Sequence, residues 1–110
     1  MKNNLINVEI KNHKDKNGGH PHVILENYGR YHVSVGLTTQ KKKGKKGSPN
    51  YELEKNPFND GKKSYMRRQG CVDYQYNYFN RRTGVMTKKD YCQAQLYGKR
   101  AKDKFLTKKR

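Results

Sequence analysis

The chain has 110 residues, 31% of them hydrophobic, no tryptophan, and 26 Lys+Arg against 9 Asp+Glu, for a formal net charge of +17 at pH 7. At that length it reads as one domain, 1–110, whose core must be thin, because a small chain buries only a modest share of its surface. A positive field of this size favours a polyanion, RNA or DNA first and an acidic protein second, while a longest apolar run of "VIL" excludes a membrane span.

In chain order, "LINVEI" alternates and predicts a strand over 5–10. "KNHKDKNGG" reads as a polar loop carrying His13. "HPHVILEN" and "YHVSVGLTT" predict strands over 22–27 and 31–39, joined across Tyr28-Gly29-Arg30. "QKKKGKKGSPN", residues 40–50, is a lysine-glycine tract that cannot pack a core and is expected to be a mobile loop. "YELE" predicts a short strand over 51–54, and "NPFNDGKK" is turn material. "SYMRRQGCVDYQYNYF" predicts a strand over 64–76, bent at Gly70 and closed by "NRRTG".

The last segment has a different period. Tyr91, Ala94, Tyr97, Ala101 and Phe105 recur at three- and four-residue steps, which predicts a helix over 88–106 followed by a basic tail, 107–110. Thr87 and Asp90 have capping-box spacing, and Met86 and Tyr91 stand where a hydrophobic staple would close. Gly98 costs this helix up to about 1 kcal/mol without breaking it. The start "MKNNLINVEI" lacks the apolar core of a signal peptide, and Cys71 and Cys92 have no metal-ligand spacing. They read as free thiols in a reducing compartment, so a cytoplasmic protein without metal or cofactor is expected.

Alternation fixes the register of the 22–39 hairpin. A three-residue turn with Gly29 at positive φ pairs Leu25 with Val33 and Val23 with Val35. The opposite face then sets His20 against Thr38, His22 against Gly36 and Glu26 against His32. An imidazole beside a hydroxyl suits phosphate-ester chemistry. Histidine can act as acid or base near neutrality, while threonine and arginine hold non-bridging oxygens. The candidate catalytic residues are His20, Thr38 and His22. The candidate RNA contacts are Thr39, Lys41, Lys42, Lys43, Lys45, Lys46, Arg67, Arg68 and Gln69. Carboxylates are too few and scattered for a two-metal nuclease site, so no metal ligands are assigned.

"GHPHVILEN", "VSVGLTT", the basic loop, the short strand and "SYMRRQGCVDY" in that order resemble the MazF/PemK/Kid family of toxin ribonucleases over roughly residues 18–75. His20-Pro21 stands at the family's Arg-Pro position, Leu37-Thr38 at its Ile-Thr position, and Ser64 to Gln69 at its Ser…Gln stretch. The resemblance implies a mainly β fold, an SH3-like antiparallel barrel with a terminal helix, commonly a homodimer. It also implies metal-independent endoribonuclease activity on single-stranded RNA and neutralisation by an acidic antitoxin. The family's catalytic pair carries over to His20, which replaces an arginine, and Thr38. Two other readings fit the charge: a non-catalytic basic nucleic-acid-binding module of ribosomal or phage type, and an inhibitor that occupies a nucleic-acid channel.

Overall fold

The computed structural model describes residues 5–15, 18–41, 49–58 and 61–108. These form six strands: β1 (Leu5–Asp15), β2 (Gly18–Asn27), β3 (Tyr31–Thr38), β4 (Tyr51–Glu52), β5 (Tyr65–Tyr74) and β6 (Tyr78–Thr87). The helix α1 (Lys88–Lys108) follows. All pairings are antiparallel, in one sheet of order β4-β5-β3-β2-β1-β6. Val8, Ile10, Val23, Val35, Leu37, Met66 and Met86 from the sheet bury against Ala94 and Tyr97 of α1. The segment after β4 swings back toward the opposite edge, where the Val85 amide donates to the Pro57 carbonyl at 3.3 Å. The sheet therefore curls without closing; β4 and β6 remain its two edges.

The β2–β3 register differs from the expected one in an instructive way. The Tyr28 amide donates to the Tyr31 carbonyl at 3.0 Å, so the turn is the two residues Gly29-Arg30, with Gly29 at φ 79°. That turn pairs Asn27 with His32 and Glu26 with Val33, whereas further along Val23 pairs with Val35 and His22 with Gly36. The two registers differ by one residue, and Leu25 is the bulge that reconciles them. Leu25 does not pair with Val33, nor Glu26 with His32. The bulge turns both Leu25 and Glu26 toward α1, where Leu25 meets Gly98 and Glu26 takes Lys102 Nζ at 3.1 Å.

Two further irregularities shape the sheet. The β3–β5 ladder jumps from Val35–Gly70 to Leu37–Met66, so Arg67-Arg68-Gln69 oppose Gly36 alone. The β1–β6 ladder jumps from Ile10–Arg82 to Asn12–Phe79, which puts the extra residue at Asn80-Arg81, with Asn80 at φ 54°. The strand β6 replaces the closing turn expected at "NRRTG", and β1 runs to Asp15, so His13 sits in a strand rather than a loop. The strand expected over 64–76 ends at Tyr74, where a 3-10 turn at Gln75–Asn77 takes over. The strand expected over 51–54 shortens to two residues.

At the helix start the Asp90 amide donates to Thr87 Oγ1 at 3.2 Å, the expected cap. The Asp90 carboxylate does not reach back to Thr87. It accepts the Glu54 amide at 2.8 Å and the Tyr51 hydroxyl at 3.3 Å, tying the segment after β4 to α1. No helix among the described residues is long and apolar enough to cross a membrane. Of the expected loop over 40–50, residues 42–48 lie outside the described residues. Of the expected tail, 107 and 108 belong to α1, and 109–110 lie outside them.

Candidate active site and the histidine face

His20, Thr38, Thr39, Ser64 and Arg67 line one cleft of about 260 Å³, together with Leu37 and Phe58. Each arrives there for a local reason. His20 and His22 share a face of β2 by alternation, and the register of Val23 with Val35, continued outward, carries His20 to the level of Thr38. Within the ladders themselves His20 pairs with His13 of β1. Thr38 ends β3, and its Oγ1 accepts the Gln40 amide at 3.1 Å, which leaves the hydroxyl proton to donate to an incoming oxygen. Arg67 rises from the β5 bulge. A Cβ on Gly36 would lie 3.4 Å from Arg67 Cδ and 3.2 Å from His22 Nε2, so the glycine makes the space these two side chains occupy.

Such a cleft offers an imidazole, two hydroxyls beside a third on Ser64, and a guanidinium. That set can bind a phosphodiester and move a proton on it.

The other expected residues separate from this cleft. His22 turns inward, with Nδ1 3.0 Å from Ser34 Oγ. Arg68 and Gln69 leave the bulge on the other side and line a groove of about 440 Å³ between β5 and α1, with Arg100, Lys104 and Phe105. Arg68 Nε donates to the Pro49 carbonyl at 2.8 Å. Lys41 is exposed, and Lys42, Lys43, Lys45 and Lys46 lie outside the described residues.

Behind the cleft lies a polar cluster that the sequence did not disclose. His13 Nε2 is 2.7 Å from Asp73 Oδ2 and 4.0 Å from Cys71 Sγ. The His13 and His22 rings stand 4.8 Å apart, and the Tyr78 ring lies 4.8 Å from His13 and 4.9 Å from His32. Tyr78 reaches across the sheet to put its hydroxyl 2.9 Å from Ser34 Oγ. Burial would raise the Asp73 carboxyl, but hydrogen bonds from His13, the Tyr74 amide and Asn77 outweigh it and hold it low. Burial pushes the Cys71 thiol and the Tyr78 phenol upward. His32 is lowered by burial and by Lys11, whose Nζ stands 3.1 Å from His32 Nε2.

The missed signal was the continuing alternation of "IKNHKD", which extends β1 and carries His13 onto the same face as Lys11. A second missed feature is the Tyr74–Tyr76 pair, stacked at 5.4 Å with 4° between ring planes, at a groove it shares with Arg30.

Neither a family model nor a curated protein nor a solved structure matches this chain.

Proposed function

We propose that the protein is an endoribonuclease of the MazF/PemK toxin type, a divergent one whose open, curled sheet is an SH3-like barrel left unclosed. The observation that carries this reading is the convergence of His20, Thr38 and Arg67 in one cleft. Single-stranded RNA is the substrate. Arg67 and the hydroxyls of Thr38 and Thr39 hold the non-bridging oxygens of the scissile phosphate. The substrate's 2'-hydroxyl attacks phosphorus and the 5'-oxygen leaves, with His20 as the protein's proton-transfer group in that exchange. No metal takes part in this chemistry. The products are a 2',3'-cyclic phosphate and a free 5'-hydroxyl.

The net charge of +17 supports an RNA partner and an acidic antitoxin that covers the same face. The family resemblance adds a homodimer. Incubation of the pure protein with a long single-stranded RNA in magnesium-free buffer, followed by end-group analysis, tests the reading. His20→Ala should lower cleavage by about 10²-fold or more, the usual share of one proton-transfer group. Thr38→Ala should cost less, because it removes a hydrogen bond and leaves proton transfer in place. DNA of the same sequence should bind and survive. Wild-type protein that binds RNA but never cuts it, across sequences and pH, would make the protein a binding module instead.

A further inference from the structure

The histidine face carries a group of side chains that the proposed cleavage does not use. We infer that His13, His22, Cys71 and Asp73 form a binding site for a divalent transition-metal ion of the zinc class. One ligand atom each from His13, His22 and Cys71 lies within 4.8 Å of the others. Asp73 Oδ2, 2.7 Å from His13 Nε2, supplies a fourth donor. Two imidazoles, a thiolate and a carboxylate are the donors zinc takes, with bonds of about 2.0–2.3 Å in a tetrahedron. Ligand atoms around such an ion stand about 3.3–3.8 Å apart by that geometry, so the His13, His22 and Cys71 atoms close by about 1 Å while Asp73 Oδ2 moves about 0.6 Å away from His13 Nε2.

The placement of these residues is not a by-product of chain proximity. His13 is on β1, His22 on β2, and Cys71 and Asp73 on β5. From β1 to β5 is three strand spacings, about 14 Å between backbones in a flat sheet. The His13 and Cys71 tips nevertheless stand 4.0 Å apart. The two side chains reach toward each other over the short Ser34 of β3, which pairs with Cys71.

Charge and surroundings also fit. A thiolate and a carboxylate neutralise a dication locally, in a chain whose overall charge would otherwise repel it. Binding expels the Cys71 thiol proton and replaces the His13–Asp73 hydrogen bond, so no other reactant is required. The Lys11 ammonium is directed to His32 and Glu9 instead. An outer partner is in place as well: Asn77 Nδ2 donates to Asp73 Oδ1 at 3.0 Å. The site lies outside the His20–Thr38 cleft, and the inference stands whether or not the protein cleaves RNA.

Titration of the full, reduced chain with Co²⁺ at neutral pH reads the site directly. One equivalent should give a thiolate-to-cobalt charge-transfer band and the visible bands of a tetrahedral ion, both displaced by Zn²⁺. Cys71→Ser should abolish the charge-transfer band, and His13→Ala should weaken binding by 10²-fold or more. Should either variant fail to fold, alkylation supplies an independent reading. In a Cys92→Ser background, Zn²⁺ should slow iodoacetamide modification of Cys71 by about tenfold or more. Wild-type protein that shows no thiolate band, or whose Cys71 alkylates at the same rate with Zn²⁺, would overturn the assignment.

Discussion

The helix lies on the sheet at a contact between two glycines, and Gly70→Ala tests whether that contact sets the packing. A Cβ at Gly70 would stand 2.6 Å from the Tyr97 carbonyl oxygen and 3.0 Å from Gly98 Cα. Both are helix backbone, held by the hydrogen bonds of α1, so neither can yield as a side-chain tip would. Forcing an extra methyl into such a contact costs about 1–3 kcal/mol. The reduced freedom of the unfolded chain returns about 0.4–1 kcal/mol, leaving a net loss of about 1.3 kcal/mol at mid-range and at most about 2.6. In a domain of this size that lowers Tm by about 4–8 °C per kcal/mol.

Gly98→Ala is the internal control. Its Cβ would meet Leu25 Cδ1 at 2.5 Å, the far end of a side chain that can turn aside, and Val33 Cγ1 at 3.2 Å, and alanine gains about 1 kcal/mol in helix propensity. Urea midpoints should therefore fall further for Gly70→Ala than for Gly98→Ala. Equal stability of wild type and Gly70→Ala, or the reverse order of the two variants, would refute the close-approach argument.

Asp90→Asn should destabilise by about 1–3 kcal/mol at neutral pH, since the amide cannot accept from both the Glu54 amide and the Tyr51 hydroxyl. Burial raises the Asp90 carboxyl, so the folded chain takes up this proton before the unfolded chain does. The wild type therefore gains on the variant as pH falls from neutral toward the ordinary carboxyl value, and parallel denaturation curves at several pH values check that sign. Tyr76, 75% exposed, should contribute about 1–3 kcal/mol to single-stranded RNA binding by stacking, with circular dichroism unchanged in Tyr76→Ala. RNA affinity should fall steeply with salt, and deleting Lys41 to Lys46 should reduce the slope of log K against log salt while the chain still folds.

Much of the hairpin was legible because burial forces a period. Val23, Val33, Val35 and Leu37 alternate, and Gly29 marks the reversal, so the pairing of Val23 with Val35 and of His22 with Gly36 followed from pattern alone. The Leu25 bulge did not. It resolves a conflict between a two-residue turn and the apolar alternation, and either register looks complete when read locally. The strand β6 was hidden by composition: "NRRTG" is polar because its Asn80 to Thr83 side chains are exposed on an edge strand, and an edge needs no apolar period. The length of β1 was hidden by its polarity, since Lys11 meets His32 and Glu9, and His13 meets Asp73, on a face without an apolar period. Helix α1 was the clearest element, with period, cap and start all present in the sequence.

The division of the polar residues into a cleft and a cluster follows from one short stretch, Arg67-Arg68-Gln69 opposite Gly36. With regular pairing, alternation would place Arg67 and Gln69 on one face and Arg68 on the other. With two extra residues in β5, Arg67 leans over Gly36 toward His20 and Thr38, whereas Arg68 and Gln69 are turned to the groove beside α1. The absent Cβ at Gly36 lets His22 Nε2 come up against the Arg67 stem from beneath. Arg67 thus forms the wall between the phosphate-sized cleft and the histidine cluster. His20 stays on the solvent side of that wall, and His22, two residues on and facing the same way, falls behind it. Alternation alone would give these two histidines the same role; the bulge in the neighbouring strand gives them different ones.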